Sequence, residues 1–277
     1  MLAAFAIMAI WRNLFGTTCQ RKRFDKMLIA NKKTLQFYID YLLPELIQSE
    51  VYFLSLSARN KYLTEEERKY YGLGRTEMFS RVIVRSKQDF DKAIRQLEAN
   101  HSARLTKTEQ IIPEKCLVVY INVNPVSTVK AAGNFVQEFL QVQNELTISL
   151  QNQKQSNFDW FRYADRKYMN CLQQATSRKI WIDFDIDSHD YSIVRELIDS
   201  IDDVVHLSIE TKSGYHLLVN QNDLNNKNAG KYLFNMYNDL RKLHVDIEIM
   251  QNKNAMIPLP GSFHGEKEVK IVSYLLD

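Results

Sequence analysis

The chain of 277 residues is 45% hydrophobic and 25% charged, the balance of an ordinary soluble globular protein, which excludes disorder as its main state. Eight glycines and five prolines, without a G-X-Y period or a fixed-length repeat, exclude collagen, propellers and most solenoids. The net charge of +3 is uneven: residues 1–110 carry 19 Lys+Arg against 12 Asp+Glu, and residues 111–277 carry 17 against 21. A basic front therefore stands beside an acidic back.

The opening MLAAFAIMAIW is too short to span a bilayer, which takes about 20 residues, and lacks the leading positive charge of a signal peptide. Residues 1–23 read as an apolar and basic extension without stable membrane insertion: a packed or frayed helix, or a start codon placed too early. The alternative is a membrane-surface anchor backed by Arg21, Lys22 and Arg23. Cys19, Cys116 and Cys171 lie too far apart for a zinc site or a disulfide framework, so no zinc is expected, and a reducing, cytoplasmic location follows.

Apolar residues at helical spacing, Met27, Leu28, Leu35, Tyr38, Ile39, Leu42 and Leu43, predict a helix over 24–48 that ends near Pro44. Strands follow at 51–57 and 77–85, joined by a charged, Tyr-bearing connection, and a helix from Ser86 to about 98. CLVVYINV, 116–123, is an apolar strand, and a helix runs from Pro125 to about Leu150. The polar stretch QNQKQSN, 151–157, marks the best boundary, dividing an N-terminal αβ unit, 24–150, from a C-terminal unit, 158–277, the two expected to form one compact domain. Beyond it come strand 179–187, helix 190–201, strands 204–211 and 215–219, helix 223–243, strand 245–249, and strands near 255–259 and 268–275. The expected class is mixed α+β, with helices on one face of the second sheet and the other face open.

KIWIDFDID, 179–187, carries the chemistry. Strand alternation sends Ile180, Ile182, Phe184 and Ile186 one way and Trp181, Asp183, Asp185 and Asp187 the other. Carboxylates two apart lie about 7 Å apart at their Cα atoms. They repel unless a cation intervenes, so Asp183 and Asp185 read as ligands for a hard divalent ion. The plain reading is a solvated acid pair at a sheet edge; Ser188 is expected to cap the next helix.

In VVHLSIETKSGYHLLV, 204–219, two strands meet at a Lys212-Ser213-Gly214 turn that presents His216 at its exit, a set of donors suited to phosphate oxygens. Standing alone, it is a plain hairpin with a surface histidine. LHVDIEI, 243–249, offers Asp246, with Glu248 in reserve, as the third carboxylate of a two-metal site, or else a half-exposed strand with solvated acids. MIPLPGSFHGEKEVKIV, 256–272, places Ser262 and His264 in a Pro-Gly turn between strands.

In this order the four segments resemble the archaeo-eukaryotic primase superfamily, particularly the primase-polymerase domains of phages and plasmids. IWIDFDID resembles its hydrophobic-Asp-x-Asp motif, ETKSGYHLLV its small-x-His motif, HVDIEI its hydrophobic-Asp motif, and LPGSFHG its P-G-S-x-H turn. The resemblance covers about residues 175–275 and implies an RRM-like catalytic antiparallel sheet packed on the N-terminal αβ unit. It implies that Asp183, Asp185 and Asp246 hold two Mg²⁺ or Mn²⁺ ions, and that Ser213, Gly214 and His216 meet the incoming NTP or dNTP. Lys212, Ser262 and His264 join the nucleotide-binding set. The implied activity is DNA primase or polymerase chemistry on a single-stranded DNA template, with a helicase or other replication protein as an open further partner. Asp187 and Glu248 are acids beyond the family pattern.

Template contacts are assigned to the basic front, where Arg59, Lys61, Arg75, Arg81 and Arg85 interleave with Tyr62, Tyr70, Tyr71 and Phe79. The plain alternative is a charged loop with its tyrosines packed on the core. Two other functions stay open: a glycosyltransferase using Asp-x-Asp to hold Mn²⁺ on a nucleotide-sugar, and a catalytically inactive nucleic-acid-binding subunit of a replication complex.

Overall fold

A computed structural model describes residues 28–99, 110–152, 159–250 and 255–276. The predicted extension 1–23, the beginning of the first predicted helix, Cys19 and most of the polar boundary stretch lie outside these residues. The class is mixed α+β, with two sheets in which every strand pair is antiparallel.

Helix α1, Lys32–Phe37, starts at Asn31, whose side chain accepts from the amides of Lys33 and Thr34, and it continues as a π-turn, Tyr38–Leu42. Strand β1, Glu50–Arg59, leads through a 3₁₀ turn, Asn60–Tyr62, to α2, Glu65–Tyr71. There follow β2, Thr76–Val84; α3, Phe90–Ala99; β3, Leu117–Asn122; and β4, Val126–Ser127. Next are α4, Thr128–Gln151; α5, Asp159–Arg162; and α6, Ala164–Gln174. The acidic strand is β5, Trp181–Ile186, followed by α7, Tyr191–Asp199; β6, His206–Glu210; and β7, Tyr215–Asn220. Helices α8, Gln221–Asn226, and α9, Gly230–Lys242, precede β8, Ile247–Met250. The C-terminal strands are β9, Met256–Pro258; β10, Phe263–His264; β11, Lys267–Glu268; and β12, Lys270–Leu275.

The first sheet runs β11-β10-β3-β1-β2, with β4 on β1 and β9 on β3; the second runs β12-β6-β7-β5-β8. On the second sheet, Ile182, Phe184, Ile186, Leu217 and Val219 pack under Ile193, Val194 and Leu197 of α7 and Leu233 and Leu240 of α9. This is the predicted helix-covered face. The opposite face is not open: Trp181, Leu207, Ile209 and Leu218 share a core with Leu54, Leu56, Val119, Ile121 and Ile257 of the first sheet. Burying those side chains against a second sheet removes the apolar surface that alternation leaves on this face.

Two polar anchors fix the approach to β5. Asn124, buried between the sheets, accepts from the amides of Ile180 and Trp181 at 2.8 Å and donates to the Trp181 carbonyl at 2.9 Å. Arg178 forks onto Glu50 at the beginning of β1, with its Nε and Nη2 at 2.8 and 2.7 Å from the two carboxylate oxygens.

Several expectations are corrected. The stretch 158–277 serves both sheets, because β9, β10 and β11 join the first sheet and β12 returns to the second. The cause is β9, whose pairing with β3 places Ile257 against Ile121 and buries it completely. The connection 60–75 contains α2, signalled by a capping box in which Thr64 and Glu67 satisfy each other's amides. Helices α5 and α6 were missed; Tyr168, Met169 and Leu172, three and four apart, seat α6 on Val51 and Phe53. Asp190, not Ser188, caps α7, accepting from the Ser192 amide at 2.9 Å, while Ser188 accepts from the Asp190 amide. Among the described residues no helix is long and apolar enough to cross a membrane.

Candidate functional site

Asp183 and Asp185 extend from β5 on the face turned toward the first sheet. Register places His216 of β7 directly opposite Asp185, and Leu218 opposite Asp183. Directly opposed residues of an antiparallel pair share a face, so one imidazole reaches both acids. His216 Nδ1 lies 3.0 and 3.3 Å from the two oxygens of Asp183, and Nε2 lies 3.7 Å from Asp185 Oδ1. The hairpin before His216 depends on Gly214: a Cβ there would sit 2.0 Å from the Ile186 carbonyl oxygen. Only glycine lets the turn lie against the end of β5.

The charges explain the arrangement. Burial opposes the His216 cation, but Asp183 above all, then Asp185 and Asp187, overcome it and raise the imidazole to about 9. His216 is therefore an imidazolium at neutral pH, donating from Nδ1 to Asp183. Burial raises the Asp185 carboxyl above the usual carboxylate range; His216 opposes that rise, and Asp183 and Asp187 reinforce it. Asp183 is sealed at 2% side-chain exposure, whereas Asp185 keeps 39%.

For the third acid, register opposes Glu248 to Asp185 on β8. Asp246 precedes that strand, and its carbonyl accepts from the Asp187 amide at 3.1 Å, one step nearer the strand end. Both side chains are exposed. The pairing brings the reserve residue, Glu248, rather than the preferred Asp246, beside Asp185. Among the described residues no three metal-ligand side chains stand close enough to hold an ion.

The predicted outward set of Lys212, Ser213, Gly214 and His216 is split, since His216 is buried in mid-sheet while Lys212 and Ser213 stay at the turn. The Lys212 ammonium lies 4.4 Å over the Tyr62 ring, and its amide donates to His264 Nδ1 at 3.4 Å. His264, buried on β10, also meets the Tyr62 hydroxyl at 2.6 Å through Nε2. Burial, then the charges of His216, Lys61, Arg59 and Lys212, depress this imidazole to about 3 and keep it neutral. Ser262 takes another direction. Its backbone bridges Ile29, its hydroxyl is buried without a partner, and the preceding Gly261 carbonyl accepts from the Ala30 and Asn31 amides. The Pro-Gly-Ser part of the turn thus secures the segment before α1, and only His264 turns toward the hairpin.

The five basic residues do not form one patch. Arg59, at the end of β1, donates through Nη1 to the Tyr120 hydroxyl at 2.7 Å and keeps a buried Nε without a partner. Lys61 is exposed; partial burial and Arg59 lower its ammonium, while Asp187 and Asp185 act the other way. Arg75, also exposed, adds its charge to the same group. Arg81 is structural: it stacks 5.9 Å from the Phe53 ring and donates to Gln173 of α6 at 2.8 Å. Arg85 follows Val84, which pairs with Tyr52, whereas Thr76 pairs with Arg59. Those β1 positions are seven residues apart, roughly 23 Å, so Arg85 lies far from the acids.

Tyr120 was absent from the sequence-derived site. Its hydroxyl receives Arg59, and burial and the nearby Asp185 raise its ionisation while Arg59 opposes them. A tyrosine within the aliphatic run CLVVYINV was the available signal, because a buried phenol needs a partner. No family model matches the chain, and no curated protein or solved structure matches it.

Proposed function

We propose that the chain is a metal-dependent nucleotidyltransferase of the primase-polymerase kind. The observation that carries this reading is the meeting of Asp183, Asp185 and His216 on one sheet with Arg59 and Lys61 from the other. Carboxylates on one wall and cations on the other suit a nucleoside triphosphate with its divalent counterion. The succession strand, helix, two strands, helices, strand, ordered β6-β7-β5-β8, agrees with an RRM-like sheet and supports the same reading.

The residues fit the expected ion. Mg²⁺ is commonly held by one or two carboxylates together with substrate phosphates, so a preformed three-residue cage is not required. Asp185 would hold the cation directly and Asp183, paired with His216 beneath it, would add its charge; Glu248 lies opposite Asp185 by register. When bound, that ion supplies charge neutralisation at the reacting phosphate. The chain's own residues do the rest: the His216 imidazolium orients Asp183, and Arg59, Lys61 and Lys212 offset phosphate charge.

Incubation with labelled NTPs and dNTPs on single-stranded DNA, with Mg²⁺ or Mn²⁺, should give template-dependent incorporation that Asp185→Asn removes. Incorporation by neither nucleotide class rejects the reading. A parallel arm with nucleotide-sugars tests the glycosyltransferase alternative, which leaves the Tyr62–His264 network unassigned.

A further inference from the structure

We infer that α4 pairs antiparallel with the α4 of a second copy of this chain through its outer face. With 24 residues it is the longest helix among the described residues, yet only Ala131 is buried in it. Its inner face is already taken: Phe135 packs against Trp160 of α5 and Tyr168 of α6, and Phe139 against Trp160 and Phe161. The outer face is left over. Six of its residues follow the heptad rhythm of a coiled coil, since Val129, Val136 and Gln143 recur every seven positions and so do Gly133, Leu140 and Thr147. All six are exposed, Val129, Val136 and Leu140 by 68%, 52% and 51%.

What fits this face is another copy of it. The charged residues of the helix, Lys130, Glu138 and Glu145, all fall outside the two series, so the seam offers nothing to a charged partner and meets itself without repulsion. Its side-chain volumes match in the antiparallel sense. About a two-fold axis level with Glu138, Val136 lies beside the partner's Leu140, Val129 beside the partner's Thr147, and Gln143 beside the partner's Gly133. A Cβ at Gly133 would have nothing within 4 Å, so the long amide side chain finds room there. A parallel pair would set Gln143 against Gln143, leave a gap between the two glycines and align the helix dipoles side by side. From Val129 to Thr147 the seam is about 27 Å long and one helix, about 10 Å, wide. That keeps the interface below the roughly 1,600 Å² of a standard complex, so the dimer exchanges with monomer at micromolar concentrations.

Two measurements test it. Sedimentation velocity of the full chain over a concentration series should show a reversible dimer. Leu140→Glu should raise its dissociation constant about tenfold or more, while the thermal midpoint of the dilute protein stays near wild type. Orientation is read separately, by a nitroxide on Gln151→Cys in a Cys19→Ser background, Cys116 and Cys171 being buried. Gln151 stands 13 residues beyond Glu138, so the labels of an antiparallel pair should lie about 40 Å apart, against about 10 Å for a parallel one. A monomer at every concentration, including one whose own residues 1–23 cover the seam, overturns the proposal, as do a dimer indifferent to Leu140→Glu and a label distance near 10 Å.

Discussion

His216 faces Asp185 across the β5–β7 pair, yet its hydrogen bond runs to Asp183, at 3.0 Å, one pleat farther along the same face. The sealed acid thus has His216 as its partner, and the more exposed acid keeps lone pairs that, among the described residues, no neighbouring hydrogen bond within 3.5 Å takes up.

The two aspartates should therefore differ when neutralised. Asp183→Asn removes half of a buried charge pair and is expected to cost about 3 kcal/mol, visible as a lower denaturation midpoint. Asp185→Asn should leave that midpoint near wild type while abolishing incorporation. Equal destabilisation by both would contradict the assignment of His216 to Asp183.

Histidines pulled in opposite directions shape the pH dependence of stability. His216, raised from 6.5 to about 9, contributes stability that is complete below its unfolded value and lost as pH rises through about 9. His264, lowered from 6.5 to about 3, contributes stability that is present above its unfolded value and lost as pH falls through about 3. Together they favour a maximum near pH 6.5. Urea denaturation at a series of pH values, in chelator, should show both limbs; His216→Gln should flatten the alkaline limb and His264→Gln the acid one.

Position sorts the basic residues. Lys61→Ala, or Arg59→Ala with Lys61→Ala, should weaken nucleoside triphosphate binding about tenfold by titration, whereas Arg85→Ala should not. If Arg59 and Lys61 instead touch the template, the log-log salt dependence of single-stranded DNA affinity will flatten by roughly 0.7 per lost phosphate contact, with triphosphate affinity unchanged.

Glycine substitutions offer a contrast in stability alone. At Gly214 an alanine Cβ meets the Ile186 carbonyl oxygen at 2.0 Å, so the hairpin must leave β5 and a loss of about 2 kcal/mol or more is expected. At Gly133 in α4 nothing lies within 4 Å, and alanine should stabilise by up to about 1 kcal/mol. Thermal melts of the two variants settle the comparison.

Local pattern made the acids legible. Period-two alternation in IWIDFDID separated Asp183 and Asp185 from Ile182, Phe184 and Ile186, and the structure keeps that division. Partnership was not legible, because it depends on register: the Glu248–Asp185 opposition and the burial of His216 arise from pairings between segments far apart in sequence. Arg81 carried the same charge as Arg59 in the sequence, but alternation along β2 and a helix the sequence did not announce turned it into a packing residue. The destination of the Pro-Gly-Ser turn was hidden for a similar reason, since its partners, Ile29 to Asn31, precede it by more than two hundred residues.

Val269 alone separates β11, in the first sheet, from β12, in the second. It is fully buried, and beside it Lys267 of β11 is paired with Glu210 of β6 at 2.7 Å. A joint one residue long ties the two sheets edge to edge at this end, so a substitution that disturbs Val269 is felt by both sheets at once rather than by one.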